Sequence, residues 1–245
     1  MAAPRSAEII YQENFAEIYD DVYRGHRDYH RETERVRELV RERRPGARTL
    51  LDVACGTGEH LVHLGRSFDV EGIDLAEPML KVAAAKLGDV PVHRGDMRDF
   101  SLGRSFDAVS CLFSSIGYLG GTADLKAAVA AMAGHLVPGG VLVIEPWILR
   151  ERWNGGDLVQ AQFTSDRATV SRMGRWYTSG DRSQVEMHYL VARADGAVRH
   201  FVNHQDLALF SRDEYEAAFV ASGCTVEYLP EGYADRGVFV GVRTS

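Results

Sequence analysis

Short apolar runs alternate with amphipathic segments from about residue 48 to residue 146. The apolar runs are four to seven residues long, which is typical of buried strands. The segments between them carry apolar residues at helical spacing, and turn residues follow them. Strands that alternate with helices predict a parallel α/β sheet. The predicted strands are 49–54, 70–74, 90–94, 106–112 and 141–144, and the predicted helices are 59–67, 78–87 and 122–136.

The segments on either side of this α/β alternation show a different spacing of apolar residues. Residues 9–46 show helical spacing with an interruption near residues 24–27, so we expect two helices there. Residues 158–209 instead alternate apolar and polar side chains, which predicts an antiparallel meander. We therefore divide the chain into an N-terminal helical cover with a core (1–147), an antiparallel insert (148–210), and a last helix with two strands (211–245).

Composition places the chain among ordinary globular proteins. It has 245 residues, 45% of them apolar and 26% charged, which excludes a disordered or collagen-like chain. No apolar run approaches the roughly 18 residues of a membrane helix, and the first residues lack the apolar core of a signal peptide. We therefore expect a cytoplasmic protein without a membrane partner.

The charge balance bears on the kind of ligand. The 28 basic and 35 acidic residues give a net charge of −7, which argues against binding to a nucleic acid. A small anion remains possible, because one local arginine cluster can hold a phosphate at any net charge. The three cysteines lack C-x-x-C spacing and the nine histidines lack H-E-x-x-H, so we expect neither a disulfide framework nor a metal.

A glycine-rich turn carries the first chemical signal. Gly56-Thr57-Gly58 joins a predicted strand to a predicted helix, and glycine lets a ligand approach the backbone closely. Asp74 ends the next strand, at the spacing where α/β nucleotide folds place an acid on a ribose. The turn lacks the further glycine of the dinucleotide motif and follows an acid, Asp52, which argues against NAD. By itself the turn leaves open an unrelated α/β protein.

Four motifs in order narrow this reading: D-V-A-C-G-T-G at 52–58, G-I-D-L at 72–75, G-D-M-R-D-F at 95–100 and F-D-A-V-S-C-L-F at 106–113. The set resembles the class I S-adenosylmethionine-dependent methyltransferases. This resemblance implies a Rossmann-like α/β fold with a seven-stranded mixed sheet, an N-terminal helical cover and an antiparallel β insert. It also implies S-adenosylmethionine (SAM) as cofactor, bound by Tyr19, Ala54, Gly56, Gly58, Asp74, Met79, Asp96, Met97 and Leu112. For Met97 and Leu112, core packing explains the residue equally well.

A narrower resemblance runs over about residues 9–243. G-D-M-R-D-F-S-L-G-R at 95–104, F-S-S-I-G-Y-L at 113–119, E-P-W at 145–147 and R-G-V-F at 236–239 recur together. They are similar to the N,N-dimethyltransferases that act on dTDP-3-amino-3,6-dideoxyhexoses in macrolide biosynthesis. The resemblance implies an N-methylating enzyme with a dTDP-aminosugar as partner. Methylation of another small natural product, and a non-catalytic SAM-binding subunit, remain as alternatives, as does a 4-amino acceptor.

The same resemblance implies the residues around the acceptor. Tyr118 and Glu145 are the candidate catalytic groups. An unperturbed tyrosine has a pKa near 10 and is a weak base at neutral pH, so we expect Tyr118 to orient the amine or to relay its proton. The candidate substrate contacts are Tyr11, Tyr29, Ser115, Trp147, His188 and Arg236. Arg27 and Arg182 are further candidates for substrate contacts. For Arg24, Arg27 and Arg31 taken singly, a solvated helix face is the preferred expectation.

The insert poses a separate question. Its alternating pattern leaves one apolar face, which must be buried. We expect this face to form a homodimer or to cover the nucleotide sugar.

Overall fold

A seven-stranded sheet forms the centre of the protein. The computed structural model describes residues 13–25, 27–193, 196–231 and 236–244. The strands of this sheet are β1 (Thr49–Val53), β2 (Asp69–Asp74), β3 (Val92–Arg94), β4 (Phe106–Cys111), β5 (Leu136–Ile144), β10 (Glu227–Leu229) and β11 (Val238–Val242). Their spatial order is β10-β11-β5-β4-β1-β2-β3. Strand β11 is antiparallel to both of its neighbours, whereas β1 to β5 pair in parallel. The predicted fold class is confirmed.

Helices cover both faces of this sheet, because its strands alternate apolar side chains to either side. Leu142 and Ile144 of β5 pack with α5 (Thr122–Gly134) and α6 (Arg212–Ala221). Val141 and Val143 pack in a second core that includes α2 (Tyr29–Arg43), α3 (Glu59–Leu64) and α4 (Glu77–Leu87). The carboxyl ends of β1, β2 and β4 therefore meet along one edge that the helices leave open.

The antiparallel insert is a second sheet of four strands. It contains β6 (Leu158–Thr164), β7 (Ala168–Ser179), β8 (Arg182–Arg193) and β9 (Arg199–Ala208), paired in chain order. Val170, Val185 and Tyr189 on its inner face pack against Phe15 and Ile18. Phe15 and Ile18 belong to α1 (Glu13–Tyr23). The apolar face is thus covered within one chain, by the N-terminal helix.

Local chemistry explains the element boundaries. Asp28 caps α2, where its carboxylate accepts the N–H of Arg31. Ser211 and Glu214 form a capping box at the start of α6. The third strand begins at Val92, two residues later than the pattern predicts, because Pro91 has no N–H to donate to a neighbouring strand. Among the described residues, no helix is long and apolar enough to cross a membrane. The division into three domains stays a prediction.

Candidate active site

The glycine-rich turn and the end of β2 are bonded to each other. Asp74 Oδ2 accepts the N–H of Gly56 at 2.8 Å, and Oδ1 accepts the N–H of Ala76 at 2.8 Å. Burial raises the pKa of Asp74, and the hydrogen bonds from these two amides oppose that rise. The carboxylate is therefore held by backbone donors at the open edge of the sheet.

The residues around Asp74 line a small cavity. Its wall is made by Val53, Ala54, Gly56, Ile73, Asp74, Met79, Gly95 and Met97, with Tyr19, Ser115 and Tyr118 at one end. Gly56 has a φ of 57°, and a side chain there would contact Met79 Cε at 3.4 Å. A Cβ on Gly95 would approach Ile73 Cδ1 to 2.5 Å. This backbone-lined cradle with one carboxylate fits an adenosine-containing cofactor that carries a ribose diol.

The N-terminal helix is fastened over this cavity. Asp20 Oδ1 accepts the hydroxyl of Thr57 at 2.7 Å, and Asp20 Oδ2 lies 2.8 Å from the ammonium of Lys86. Lys86 also pairs with Glu59 at 2.6 Å, and Arg24 pairs with Glu59 at 2.8 Å. These pairs, whose carboxylates are about one-tenth exposed, tie α1 to the glycine turn and to α4. Tyr19, next to Asp20, is thereby placed at the cavity.

A short helical turn after β4 carries two further site residues. Phe113 and Ser114 adopt left-handed backbone angles, with φ of 54° and 61°, before the 3₁₀ turn Ser115–Tyr118. The reversal directs Ser115 and Tyr118 back toward the cofactor cavity. Both side chains also line a second, larger cavity on the other side. Tyr19, Ser115 and Tyr118 are therefore shared by the two cavities, and we call their meeting point the junction.

The larger cavity has a volume of about 1410 Å³ and opens between α2, the insert and the loop before β11. Two arginines stack on aromatic rings in its wall. The guanidinium of Arg27 lies 3.8 Å from the centre of the Phe113 ring, and that of Arg236 lies 4.5 Å from the centre of Trp147. Arg236 Nη1 also donates to Ser114 Oγ at 2.7 Å. These stacked cations give the cavity the chemistry of an anion site.

Glu145 lies behind this wall and is fully buried. Its Oε2 accepts the N–H of Phe113 at 2.6 Å. Arg27 Nη2 and Arg236 Nη1 lie 3.8 Å and 3.7 Å from the carboxylate oxygens. Burial raises the pKa of Glu145, and the two arginines lower it. The side chain does not line either cavity, so this geometry makes it a support for the wall and for the Phe113 backbone.

Several predicted site residues lie away from both cavities. His188 is on the outer face of β8, where it contacts Glu186 and His200 at 3.0 Å each, because inner-face positions of this strand are the odd-numbered ones. Tyr29 is buried against the His60 ring. Leu112 packs in the core beneath the sheet. Tyr11 lies outside the described residues.

Two predicted cofactor contacts act next to the small cavity without lining it. Gly58 has a φ of 75° and caps α3. A Cβ there would come within 2.6 Å of Leu87 Cδ1, so the turn needs glycine at this position. Asp96 pairs with Arg98, with 2.7 Å between Oδ2 and Nη2. Met97, its neighbour, does line the cavity.

Arg27 does not lie on a solvated helix face, which was the preferred expectation for it, and instead lines the larger cavity. Its side chain is only 9% exposed and pairs with Glu32 at 2.5 Å. Residue 27 precedes the cap of α2, so helical periodicity does not apply to it. Tyr23, Arg172 and Trp176 also line the larger cavity and were missed. The strand alternation that places Val170 inward also places Arg172 and Trp176 inward, so that signal was available.

Comparisons with known proteins agree with this geometry. A family model for a methyltransferase domain matches residues 50–140. A dTDP-3-amino-3,6-dideoxy-alpha-D-glucopyranose N,N-dimethyltransferase of Streptomyces fradiae is 45% identical over 243 residues, which cover 98% of this chain and 95% of that protein. The chain belongs to this family of dTDP-aminosugar N,N-dimethyltransferases.

Two solved structures share the architecture over nearly the whole chain. Streptomyces venezuelae DesVI has a TM-score of 0.91 and 46% identity, covering 95% of this chain and 99% of DesVI. SAM-bound CalS10, an amino pentose methyltransferase from Micromonospora echinaspora, has a TM-score of 0.86 and 44% identity, covering 93% and 97%. The cofactor of this dTDP-aminosugar N,N-dimethyltransferase family member is S-adenosylmethionine, and the enzyme is a SAM-dependent methyltransferase.

Proposed function

We propose that the enzyme methylates the amino group of a dTDP-3-amino-3,6-dideoxyhexose twice, as a step in the biosynthesis of an antibiotic deoxysugar. The observation that carries this proposal is the junction. Tyr19, Ser115 and Tyr118 border both cavities, so a cofactor in the smaller one and an acceptor in the larger one meet there. The identity to the Streptomyces fradiae enzyme over nearly the whole chain supports the same acceptor class.

The side chains at the junction suit a reaction that depends on positioning. The bound cofactor supplies a methyl group attached to a positively charged sulfur, and the neutral thioether that remains is the leaving group. What the protein contributes is the alignment of the amine nitrogen with that methyl group. Burial raises the pKa of Tyr19 well above its ordinary value, so its phenol stays protonated. We assign to the Tyr118 hydroxyl the orientation of the amine lone pair.

Deprotonation of the amine is assigned to water rather than to a protein base. The three junction side chains are two phenols and an alcohol, which are weak bases at neutral pH. Glu145, the carboxylate near this wall, is buried and bonded to the Phe113 amide. We therefore assign Glu145 a positioning role: it fixes Arg27, Arg236 and the turn that carries Tyr118.

The larger cavity offers groups for both ends of a nucleotide sugar. Arg236 and Arg27 suit the diphosphate, because a guanidinium group can donate two parallel hydrogen bonds to the oxygens of one phosphate. Trp147 and Trp176, whose ring centres are 5.1 Å apart, provide aromatic surface for the thymine or the sugar face. Tyr11 remains a predicted contact outside the described residues.

The test is incubation of the enzyme with isotopically labelled SAM and three acceptors: dTDP-3-amino, dTDP-4-amino and non-amino dideoxyhexoses. We expect a mass gain of two methyl groups on the 3-amino sugar and none on the non-amino sugar. Faster methylation of the 4-amino sugar would show that the preferred substrate carries its amine on C4. Absence of transfer to either aminosugar, with SAM binding intact, would reject the proposal.

We also propose that the outer face of the insert joins two copies of the chain in a homodimer. This face exposes apolar side chains that a solvated sheet would not favour: Leu158, Met173, Tyr177, Leu190 and Val202, with exposed fractions of 38–65%. Sedimentation of wild type and of Leu190→Glu tests it. A dimer that dissociates in the variant is expected, whereas a wild-type monomer would refute the interface.

A further inference from the structure

Arg172 is a basic side chain on an otherwise apolar and aromatic part of the insert. Val170 and Trp176 lie on the same face of β7 as Arg172, and both pack in hydrophobic clusters on the inner side of the insert sheet. The Arg172 guanidinium lies 5.1 Å from the centre of the Phe163 ring and 5.8 Å from that of Tyr23. The side chain also lines the larger cavity. A positive charge is therefore held in a partly apolar wall.

Arg172 differs from the other inner arginines in its partners. Arg27 pairs with Glu32 at 2.5 Å, and Glu145 lies between Arg27 and Arg236. Among the described residues, no carboxylate forms an ion pair with Arg172, whose guanidinium interacts with the neutral Tyr189 hydroxyl. The inner part of the cavity wall thus holds three guanidinium groups but only two carboxylates, those of Glu32 and Glu145. Both carboxylates lie beside Arg27 or Arg236, so the positive charge of Arg172 is not compensated.

The other titratable groups around the junction are mainly phenols, together with Asp74 of the smaller cavity, whose carboxylate is held by two backbone amides. Those from α1, the 3₁₀ turn and β8 are phenols: Tyr19, Tyr23, Tyr118 and Tyr189. Burial raises the pKa of Tyr19 and of Tyr189, so both phenols stay uncharged. The remaining charged groups lie on the outer part of the wall, where they are exposed or half-buried: Asp28, Arg31, Glu34, Arg35, Glu38, Arg152 and Glu231.

The position of Arg172 relative to the junction follows from ring contacts. The Tyr23 ring lies against the Arg172 guanidinium and is 4.7 Å from the Tyr19 ring, which borders the junction. Arg172 is therefore at most about 10 Å from the centre of the Tyr19 ring. At that distance a fixed charge still acts on a titrating group at an effective dielectric constant near 20. An amine placed for methyl transfer lies within its field.

We propose that Arg172 disfavours the protonated form of the acceptor amine at the junction and so increases the fraction of neutral amine that accepts the methyl group. The ammonium form gives its proton to water. The nitrogen lone pair then forms the N–C bond while the S–C bond breaks and its electron pair stays on sulfur. The resulting methylammonium loses a proton to water before the second transfer. This inference rests on the proposed aminosugar methylation.

The kinetic test is the pH dependence of kcat at saturating dTDP-aminosugar, because kcat reports the pKa values of the bound complex. In Arg172→Gln we expect the acidic limb to move to higher pH by roughly 0.3 to 1 unit, with the same rate on the high-pH plateau. Arg172→Lys retains the charge and should retain the wild-type limb. Arg175→Gln, on the exposed outer face of the same strand, is the matched control and should not shift it.

A binding measurement separates this role from phosphate binding. With the demethylated cofactor present, calorimetry in buffers of different ionisation enthalpy counts the protons released when the aminosugar binds. We expect Arg172→Gln to release fewer protons than wild type, and to bind the matched hydroxy sugar like wild type. An unmoved limb with unchanged proton release, or equal weakening for both sugars at every pH, would overturn the inference. Failure of wild type to methylate any aminosugar would instead reject the proposed function.

Discussion

The carboxylate of Asp74 accepts the backbone N–H of Gly56, 18 residues earlier in the chain, with 2.8 Å between Oδ2 and N. Asp74→Asn places an amide group beside this donor and removes the charge offered to a ribose diol. We expect the Kd for SAM to rise about tenfold to a hundredfold, the range for a hydrogen bond to a charged group. Calorimetric titration of SAM measures it. Asp69→Asn, at the exposed start of β2, is the control, and SAM binding unchanged in Asp74→Asn would contradict the assignment.

Replacement of Tyr118 by phenylalanine separates orientation from base catalysis. The ring stays at the junction, so SAM affinity should be unchanged. Loss of one orienting hydrogen bond should lower kcat by roughly fivefold to tenfold and leave the pH profile intact. A fall of kcat by a factor of about 10³ or more, with loss of the acidic limb, would mean that the phenol is an essential base. Tyr177→Phe, on the outer face of the insert, is the matched control.

Arg236 should affect the acceptor and leave the cofactor unaffected. Arg236→Gln removes the guanidinium that stacks on Trp147 and donates to Ser114. We expect the KM for the dTDP-aminosugar to rise at least about tenfold, because a charge-assisted contact to phosphate is lost. Titrations with SAM and with dTDP separate the two effects. An equal loss of affinity for SAM and for dTDP would contradict the assignment of Arg236 to the phosphates of the acceptor. Arg212→Gln, whose side chain is exposed, serves as control.

Glu59 links the stability of the N-terminal cover to pH. Burial pushes its pKa upward, but hydrogen bonds from Arg24 and Lys86 outweigh burial and lower the pKa from 4.5 to about 2. The folded-state pKa is below the unfolded one, so the stabilisation is present above about pH 4.5 and is lost as the pH falls toward 2. We expect wild type to lose about 2 kcal/mol more unfolding free energy than Glu59→Gln over this window.

Urea unfolding of both proteins at a series of pH values between these limits measures that difference. Glu77→Gln, at an exposed position in the first turn of α4, should follow wild type at every pH. Parallel curves for wild type and Glu59→Gln would show that the pairs with Arg24 and Lys86 add no pH-dependent stability.

The sequence anticipated the parts of the site that depend on short-range pattern. Gly56 and Asp74 were predicted to act together because Asp74 ends the strand that follows the turn, at the spacing where α/β nucleotide folds place an acid on a ribose. Strand alternation likewise predicted the insert sheet. It did not assign its faces, so His188 was expected at the substrate and instead lies on the outer surface. One residue of offset in a strand reverses the face.

The chain by itself determined the fold, the cofactor turn and the family, since these follow from local spacing and from the order of motifs. Only the tertiary structure decided the environment of individual charges. Arg27, Glu145 and Arg236 are distant in sequence and meet in one wall, where burial and mutual pairing fix their roles. Desolvation and ion pairing depend on what surrounds a side chain from every direction, and no linear pattern carries that information.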